Sequence, residues 1–259
     1  MSEQIEKEQI EKDKIYNCDC LEGMKHIPNA SIDAIICDLP YGTTACAWDS
    51  VIPFDQLWEQ YKRIIKPRGA IVLFGSEPFS TMLRMSNLAW FRYDWIWNKK
   101  FAGNFVMAKV QPQKVHEIIS VFSNGTCNYY PQMMKRDEPI KKGGNSGDWE
   151  TYGKIKVKDE FKGKVYDEKY PETILEFSSR ADYDDHFHPT QKPVDLLRYL
   201  IRTYSNEGDT ILDNCMGSGT TAVACIKEKR HFIGFELNKQ YYDKACRRID
   251  AERRQLSLF

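Results

Sequence analysis

The sequence predicts an α/β fold built on an open, mostly parallel sheet, and three stretches carry that expectation. The apolar run Ala34 to Cys37 stops at Asp38-Leu39-Pro40-Tyr41-Gly42. A second apolar run from Thr210 enters Asp213-Asn214-Cys215-Met216-Gly217-Ser218-Gly219-Thr220-Thr221. A third, His231 to Phe235, stops at Glu236. Short apolar runs bounded by turn residues read as buried parallel strands. Pro40 cannot continue its strand and Gly42 permits a sharp turn. Asp38 and Tyr41 are therefore expected at the carboxyl end of a strand, the edge where open α/β sheets bind ligands. The glycines after Asp213 let backbone approach a ligand closely and open onto a helix N-terminus.

Composition bounds the answer. A chain of 259 residues is long enough for one α/β domain with an insert. Its 37 basic and 37 acidic residues cancel, so any nucleic-acid surface must come from local clustering. The 8 cysteines form no Cys-x-x-Cys pair, which argues against a zinc site, and they sit mostly in apolar stretches. That usage suits reduced thiols in a cytoplasmic protein. No signal peptide, membrane-length apolar run or internal repeat is read.

Residues 1–13 are almost wholly polar and are expected to form a frayed arm. Lys14 to Cys18 reads as a short strand, with Asp19 and Cys20 at its end and a helix from Leu21 to His26. Phe54, Leu57, Trp58, Tyr61, Ile64 and Ile65 have helical spacing. Lys66-Pro67-Arg68-Gly69 is expected to turn the chain into a strand at Ala70 to Phe74. Gly75-Ser76-Glu77-Pro78 then starts a helix to about Asn87. Phe91 to Trp97 alternates as a strand does, and His116 to Phe122 is a further strand. Between them, Asn98 to Lys114 is polar and carries four lysines. Pro193 opens a helix through Leu196, Leu197, Leu200 and Ile201. A helix follows Thr220, and Asn238 caps a last helix to about Arg254.

From Asn124 to Phe187 the texture changes. This stretch is rich in Lys, Gly, Tyr and Asp, with few aliphatics and no sustained period. Trp149, Tyr152 and Phe161 interleave with its lysines, a mixture suited to phosphate contact and base stacking.

Asp38-Leu39-Pro40-Tyr41 followed, after a long insert, by Asp213 to Thr221 resembles the β-type amino-methylating (N6-adenine or N4-cytosine) DNA methyltransferases, which use S-adenosylmethionine. The likeness runs from about Lys14 to Arg248. It implies a Rossmann-like class I methyltransferase sheet with helices on both faces, with residues 14–123 and 188–254 as catalytic domain. Residues 124–187 would be a target-recognition insert and 255–259 a tail. It implies further that Asp38, Leu39, Pro40 and Tyr41 act on an exocyclic amino group of a flipped base. Asp19 and Cys20 would lie at the cofactor's adenine. Asp213, Gly217, Ser218, Gly219, Thr220 and Thr221 would cradle the cofactor, with Asp38 beside it. The segment His188-Pro189-Thr190-Gln191-Lys192-Pro193 would hold its methionine end through His188, Thr190 and Lys192. Glu236, at the end of the strand after the glycine loop, is placed to accept ribose hydroxyls. No metal is called for. Asp at the head of the tetrad resembles the adenine-directed members, Ser being the usual cytosine counterpart. Leu39 departs from the usual Pro, which keeps the carbonyl and loses some rigidity.

Three other readings fit parts of the sequence. Gly217-Ser218-Gly219-Thr220-Thr221-Ala222 with Glu236 also fits a dinucleotide fingerprint, but that leaves the Asp-Leu-Pro-Tyr turn without a role. A non-catalytic DNA-binding module leaves Asp38 and the glycine loop unexplained. An N4-cytosine or RNA methyltransferase shares the machinery. Double-stranded DNA is the expected partner, in a bacterial or phage-infected cell. A homodimer and a restriction partner are left open. The tail Gln255-Leu256-Ser257-Leu258-Phe259 resembles peptides that dock on bacterial sliding clamps, or else closes an apolar edge of the domain.

Overall fold

A computed structural model describes residues 10–43, 49–141, 147–150, 153–155, 163–180, 187–188 and 190–256. In chain order the elements are β1 (Lys14–Tyr16), α1 (Cys20–Lys25), β2 (Ile32–Cys37), α2 (Phe54–Ile64), β3 (Ile65–Gly75), α3 (Phe79–Ser86), β4 (Phe91–Asn98) and β5 (His116–Phe122). Next come β6 (Met134–Lys141), β7 (Gly147–Trp149), β8 (Gly153–Ile155) and β9 (Val165–Lys169). The chain ends with β10 (Ile174–Glu176), α4 (Val194–Tyr204), β11 (Thr210–Asp213), α5 (Thr220–Lys227), β12 (His231–Phe235) and α6 (Lys239–Leu256).

Eight strands form the main sheet in the order β1-β12-β11-β2-β3-β5-β4-β10. Every neighbouring pair is parallel except β3 with β5 and β5 with β4, so β5 alone runs against the rest. The order reverses direction between β11 and β2, which pair at Ile211 with Ala34 and Leu212 with Ile35. A crevice at the carboxyl ends of the strands is the consequence of such a switch point.

Successive side chains of a strand face opposite sides. Ala34 and Ile36 of β2 pack with Leu200 and Ile201 of α4, Ala222 of α5 and Ile249 of α6. Ile35 and Cys37 pack with Met24 of α1, Leu57 and Tyr61 of α2 and Phe79 of α3. Three helices therefore cover each face, and the central strands are largely apolar because both of their sides are buried.

The bounds of β5 and β12 coincide with expectation. The turn expected at Lys66 to Gly69 is instead part of β3. There the register against β2 jumps from Ile32–Ile65 to Ala34–Ala70, and Arg68 takes a φ of 65°. The polar residues form a bulge that the ladder spans, with Lys66 reaching Asp33 at 2.7 Å.

Pro131–Glu172 forms a second compact unit. In it β6 pairs antiparallel with β9, and β7 with β8. Nearly all of β6 is exposed, which is why no hydrophobic period is visible there. This unit is shorter than the insert read from composition: the flanks pack with the main sheet, where Cys127 and Leu175 are buried and β10 lies beside β4. Of the expected polar arm, Ile10 is buried and Asp13 bonds His231 at 2.7 Å. α6 extends through Leu256, and the rest of the tail, Ser257 to Phe259, lies outside the described residues. Trp48, Tyr152 and Phe161 also lie outside them. Among the described residues no helix is long and apolar enough to cross a membrane.

Tyr61 of α2 reaches through the core to donate to Asn214 Oδ1 at 2.5 Å, at the root of the glycine loop. Tyr61→Phe removes that donor and leaves a buried acceptor without it. A loss of about 1–3 kcal/mol of unfolding free energy is expected in urea titration; a change within a few tenths of a kcal/mol would show that the bond does not hold the loop.

Candidate active site

A cleft of about 1020 Å³ opens at the carboxyl edge of the sheet. Asp19, Cys20, Asp38, Leu39, Pro40, Tyr41, His188, Thr190, Lys192, Asp213, Gly217, Ser218, Thr220, Thr221 and Glu236 all line it. Gly219 does not. It caps α5 with φ 78° and faces α6, where an added Cβ would stand 3.2 Å from that of Ala245. Its place in the pattern answers a helix-packing demand.

The glycine loop hangs from Asp213. The Asp213 carboxylate accepts from the Cys215 backbone N–H at 3.1 Å and from the Thr221 hydroxyl at 2.6 Å, tying both ends of the loop together. Burial raises its pKa to about 6 against the pull of those donors. Gly217 takes a φ of 52° and lies beside the His188 ring. Its N–H donates to Glu236 Oε2 at 2.8 Å, while the Asn238 N–H donates to Oε1 at 2.7 Å. Burial raises the Glu236 pKa, opposed by these two backbone donors. His188 is held neutral: burial, then Lys192 and Lys244, lower its pKa to about 4. Asp19 caps α1, accepting from the N–H groups of Leu21 and Glu22 at 2.8 and 3.1 Å, and still borders the cleft.

At the other end of the cleft, Asp38 follows β2 directly. Tyr41 donates to Asp38 Oδ1 at 2.6 Å, and its ring stacks on Phe79 with centroids 5.0 Å apart. Lys192 donates to Asp38 Oδ2 and lies 5.3 Å from the Phe74 ring centroid. Asp49 accepts from the N–H groups of Gly42 and Thr43 at 2.8 and 2.9 Å, which pins the turn after the tetrad.

Glu117 is the residue the sequence reading missed. Because β5 is antiparallel, its amino end reaches the edge where the other strands end, and Glu117 lines the cleft opposite Trp97. Its Oε1 lies 3.2 Å from Lys99 Nζ and its Oε2 lies 3.6 Å from Lys192 Nζ. The available signal was an acid inside an otherwise apolar strand, His116 to Phe122. Burial works against ionisation of both acids. For Glu117 the two lysines win and the pKa is lowered; for Asp38 burial wins over Lys192 and the pKa is raised. Lys192 is itself buried, yet Asp38 and Glu117 raise its pKa, so it stays charged.

Comparison with known proteins places these features in company. The family of N6 and N4 methyltransferases described as DNA methylase matches residues 32–247. The DNA adenine methyltransferase YhdJ of Escherichia coli K12 is 28% identical over 250 residues, covering 91% of this chain and 82% of its own. The crystal structure of the M1.HpyAVI–SAM complex has a TM-score of 0.60 at 22% identity, covering 91% of this chain and 98% of its own. The cytosine-N4-specific PvuII DNA methyltransferase has a TM-score of 0.63 at 16% identity, covering 92% and 86%. The shared architecture thus extends over enzymes named for different bases.

Thr221→Val removes a donor from a buried carboxylate whose pKa is already raised to about 6. An acid with a raised folded pKa loses stability as pH climbs from its unfolded value through the folded one. The variant should therefore lose about 1–3 kcal/mol at pH near 8 and clearly less near pH 5, where Asp213 takes up its proton. Equal losses at both pH values would remove Asp213 ionisation from the account.

Proposed function

The chain belongs to the DNA methylase family of N6 and N4 methyltransferases, and from that premise we propose that it methylates the N6 amino group of adenine in DNA at specific sites, with S-adenosylmethionine as donor. The observation that carries this reading is the meeting of Asp38 and Tyr41 with the glycine loop of Asp213 to Thr221 in one cleft.

The donor set of the cleft suits the cofactor. Glu236 offers carboxylate oxygens for ribose hydroxyls, the positive φ of Gly217 brings backbone to the cleft wall, and Asp19 and Cys20 border the place for an adenine. His188 lies beside Gly217, with the Thr190 hydroxyl 3.2 Å from its Nδ1, for the methionine end, whereas the Lys192 ammonium is engaged by Asp38 and Glu117. When bound, S-adenosylmethionine supplies an electrophilic methyl group.

The chain's own residues deal with a poor nucleophile. The lone pair of the adenine amino group is delocalised into the ring, and the base must first leave the stack at a cost of a few kcal/mol. Tyr41 is placed to stack on the extruded base, worth about 1–3 kcal/mol. Asp38 accepts one amino proton and the Leu39 carbonyl accepts the other. Two acceptors draw the nitrogen towards tetrahedral geometry and aim its lone pair; the catalysis is orientation and electrostatics. Asp rather than Ser at position 38 favours adenine over cytosine N4. Incubating the purified protein with DNA and labelled donor, then digesting to nucleosides, tests the reading: N6-methyladenine is expected, and N4-methylcytosine would overturn the choice of base.

Asp38→Ala and Glu236→Ala should separate the two halves of the cleft. The first is expected to abolish methyl transfer with donor affinity within about twofold of the parent. The second should weaken donor binding by about 2–4 kcal/mol, the loss of charge-assisted hydrogen bonds to two hydroxyls. Calorimetry and single-turnover assays read both, and near-normal turnover of the Asp38 variant would sink the assignment.

The unit Pro131–Glu172, within the segment 124–187 read as target-recognition insert, is proposed to select the DNA sequence. Exchange of this segment for that of a relative should change the methylated sequence and keep the base. A chimera that still marks the parental site would contradict it.

A further inference from the structure

Asp38 already has a partner at each oxygen: the Tyr41 hydroxyl at Oδ1 and the Lys192 ammonium at Oδ2. If Asp38 is to accept an amino proton, as proposed above, one partner must give way. The ammonium has a second place to go. Glu117 Oε2 is buried and accepts no hydrogen bond among the described residues, and it lies 3.6 Å from Lys192 Nζ. That is ion-pair range but beyond hydrogen-bond length. A shift of about 1 Å brings the ammonium onto it at charge-assisted hydrogen-bond length.

We propose that Lys192 is a movable placeholder shared between two carboxylates: it holds Asp38 until the base enters, then passes to Glu117 Oε2, leaving Asp38 Oδ2 to the amino group. Four features of the site support the exchange. Lys192 sits over the Phe74 ring with the Thr190 carbonyl 3.4 Å from its ammonium, so both contacts lie beside the short path between the two acids. Lys99 at 3.2 Å fixes the other oxygen of Glu117, so the carboxylate cannot swing towards Asp38. The flexible four-carbon stem of a lysine permits such a step where a rigid guanidinium fork would not. The charge count, two acids and two lysines, is unchanged by it. Glu117 and Lys192 are thus positioning residues for Asp38, and Glu117 gives the ammonium a destination without which the acid stays covered.

The test uses binding in the absence of S-adenosylmethionine. Duplexes carry the methylated sequence read from DNA of cells expressing the protein, with either adenine or unsubstituted purine, which lacks the amino group, at the target position. The wild type should prefer adenine by roughly tenfold or more, the worth of one charge-assisted hydrogen bond. In Glu117→Gln the ammonium has no anionic alternative, so the preference should fall to about twofold or less, while purine binding changes little. Adding Lys192→Met to that variant uncovers Asp38, and the preference should return and grow as pH is raised, because Asp38 without its ammonium partner needs a higher pH to ionise. Lys192→Met alone keeps the proposal testable if Glu117→Gln does not fold: it should retain the preference at the high-pH end of the same titration. A preference that survives Glu117→Gln, or that is lost in Lys192→Met and not restored in the double variant, overturns the exchange. Because the wild-type duplexes are defined by methylation of adenine, failure of the functional reading would be seen beforehand, as DNA without N6-methyladenine.

Discussion

The side-by-side pairing of β2 and β11 is the contact on which the site depends. Thr210 at the start of β11 donates to Asp33 of β2, 177 positions earlier in the chain, and the two strands then run parallel through Ile211–Ala34 and Leu212–Ile35. Parallel strands in register end together, so Asp213 and Asp38 emerge at the same edge. The chain leaves these two ends in different directions, one into the glycine loop and the other into the Asp-Leu-Pro-Tyr turn. No loop could bring the two motifs together across such a separation without the sheet, because the entropy of closing the intervening chain must be offset by burial elsewhere. Helices on both faces provide that burial, and Tyr61 carries the core's order to the base of the loop.

Burying four carboxylates at one edge is costly, and the way each is compensated shapes the cleft. Asp213 and Glu236 are bonded to neutral donors, backbone N–H groups and a threonine hydroxyl. Those bonds define the loop conformation, so the same donors that stabilise the charges also hold the glycine loop open. Asp38 and Glu117 are compensated by lysines. A buried ion pair of this kind adds little net stability, since desolvation offsets much of the attraction, but removing one partner strands the other. Such an arrangement specifies position more than it stabilises the fold.

Much of this was legible in the chain, for reasons that can be located. Strands buried on both faces leave continuous apolar runs, and the carboxylates and glycines that interrupt them mark strand ends, so β2, β11, β12 and their loops could be read directly. The β3 bulge was misread because Pro and Gly in Lys66-Pro67-Arg68-Gly69 signal a turn whether or not a ladder bridges them. The small strands around β6 have no buried face and thus no period. Glu117 was missed for a topological reason: its importance depends on β5 running backwards, which places an amino end where only carboxyl ends were sought. The contact of Gly219 with Ala245 could not be read either, because a glycine required by packing looks, in a motif, the same as one required by a ligand.

The two ends of the cleft therefore differ in charge as well as in shape. Around Asp38 and Glu117 the two lysines bring the local sum to neutrality. Around Asp213 and Glu236 the partners carry no formal charge, and the local sum is negative wherever both are ionised. His188, kept neutral by burial and by Lys192 and Lys244, adds no positive charge to that end. One pair of acids is compensated by neutral donors and the other by ammonium groups, and β5, by delivering Glu117 beside Asp38, completes the second pair.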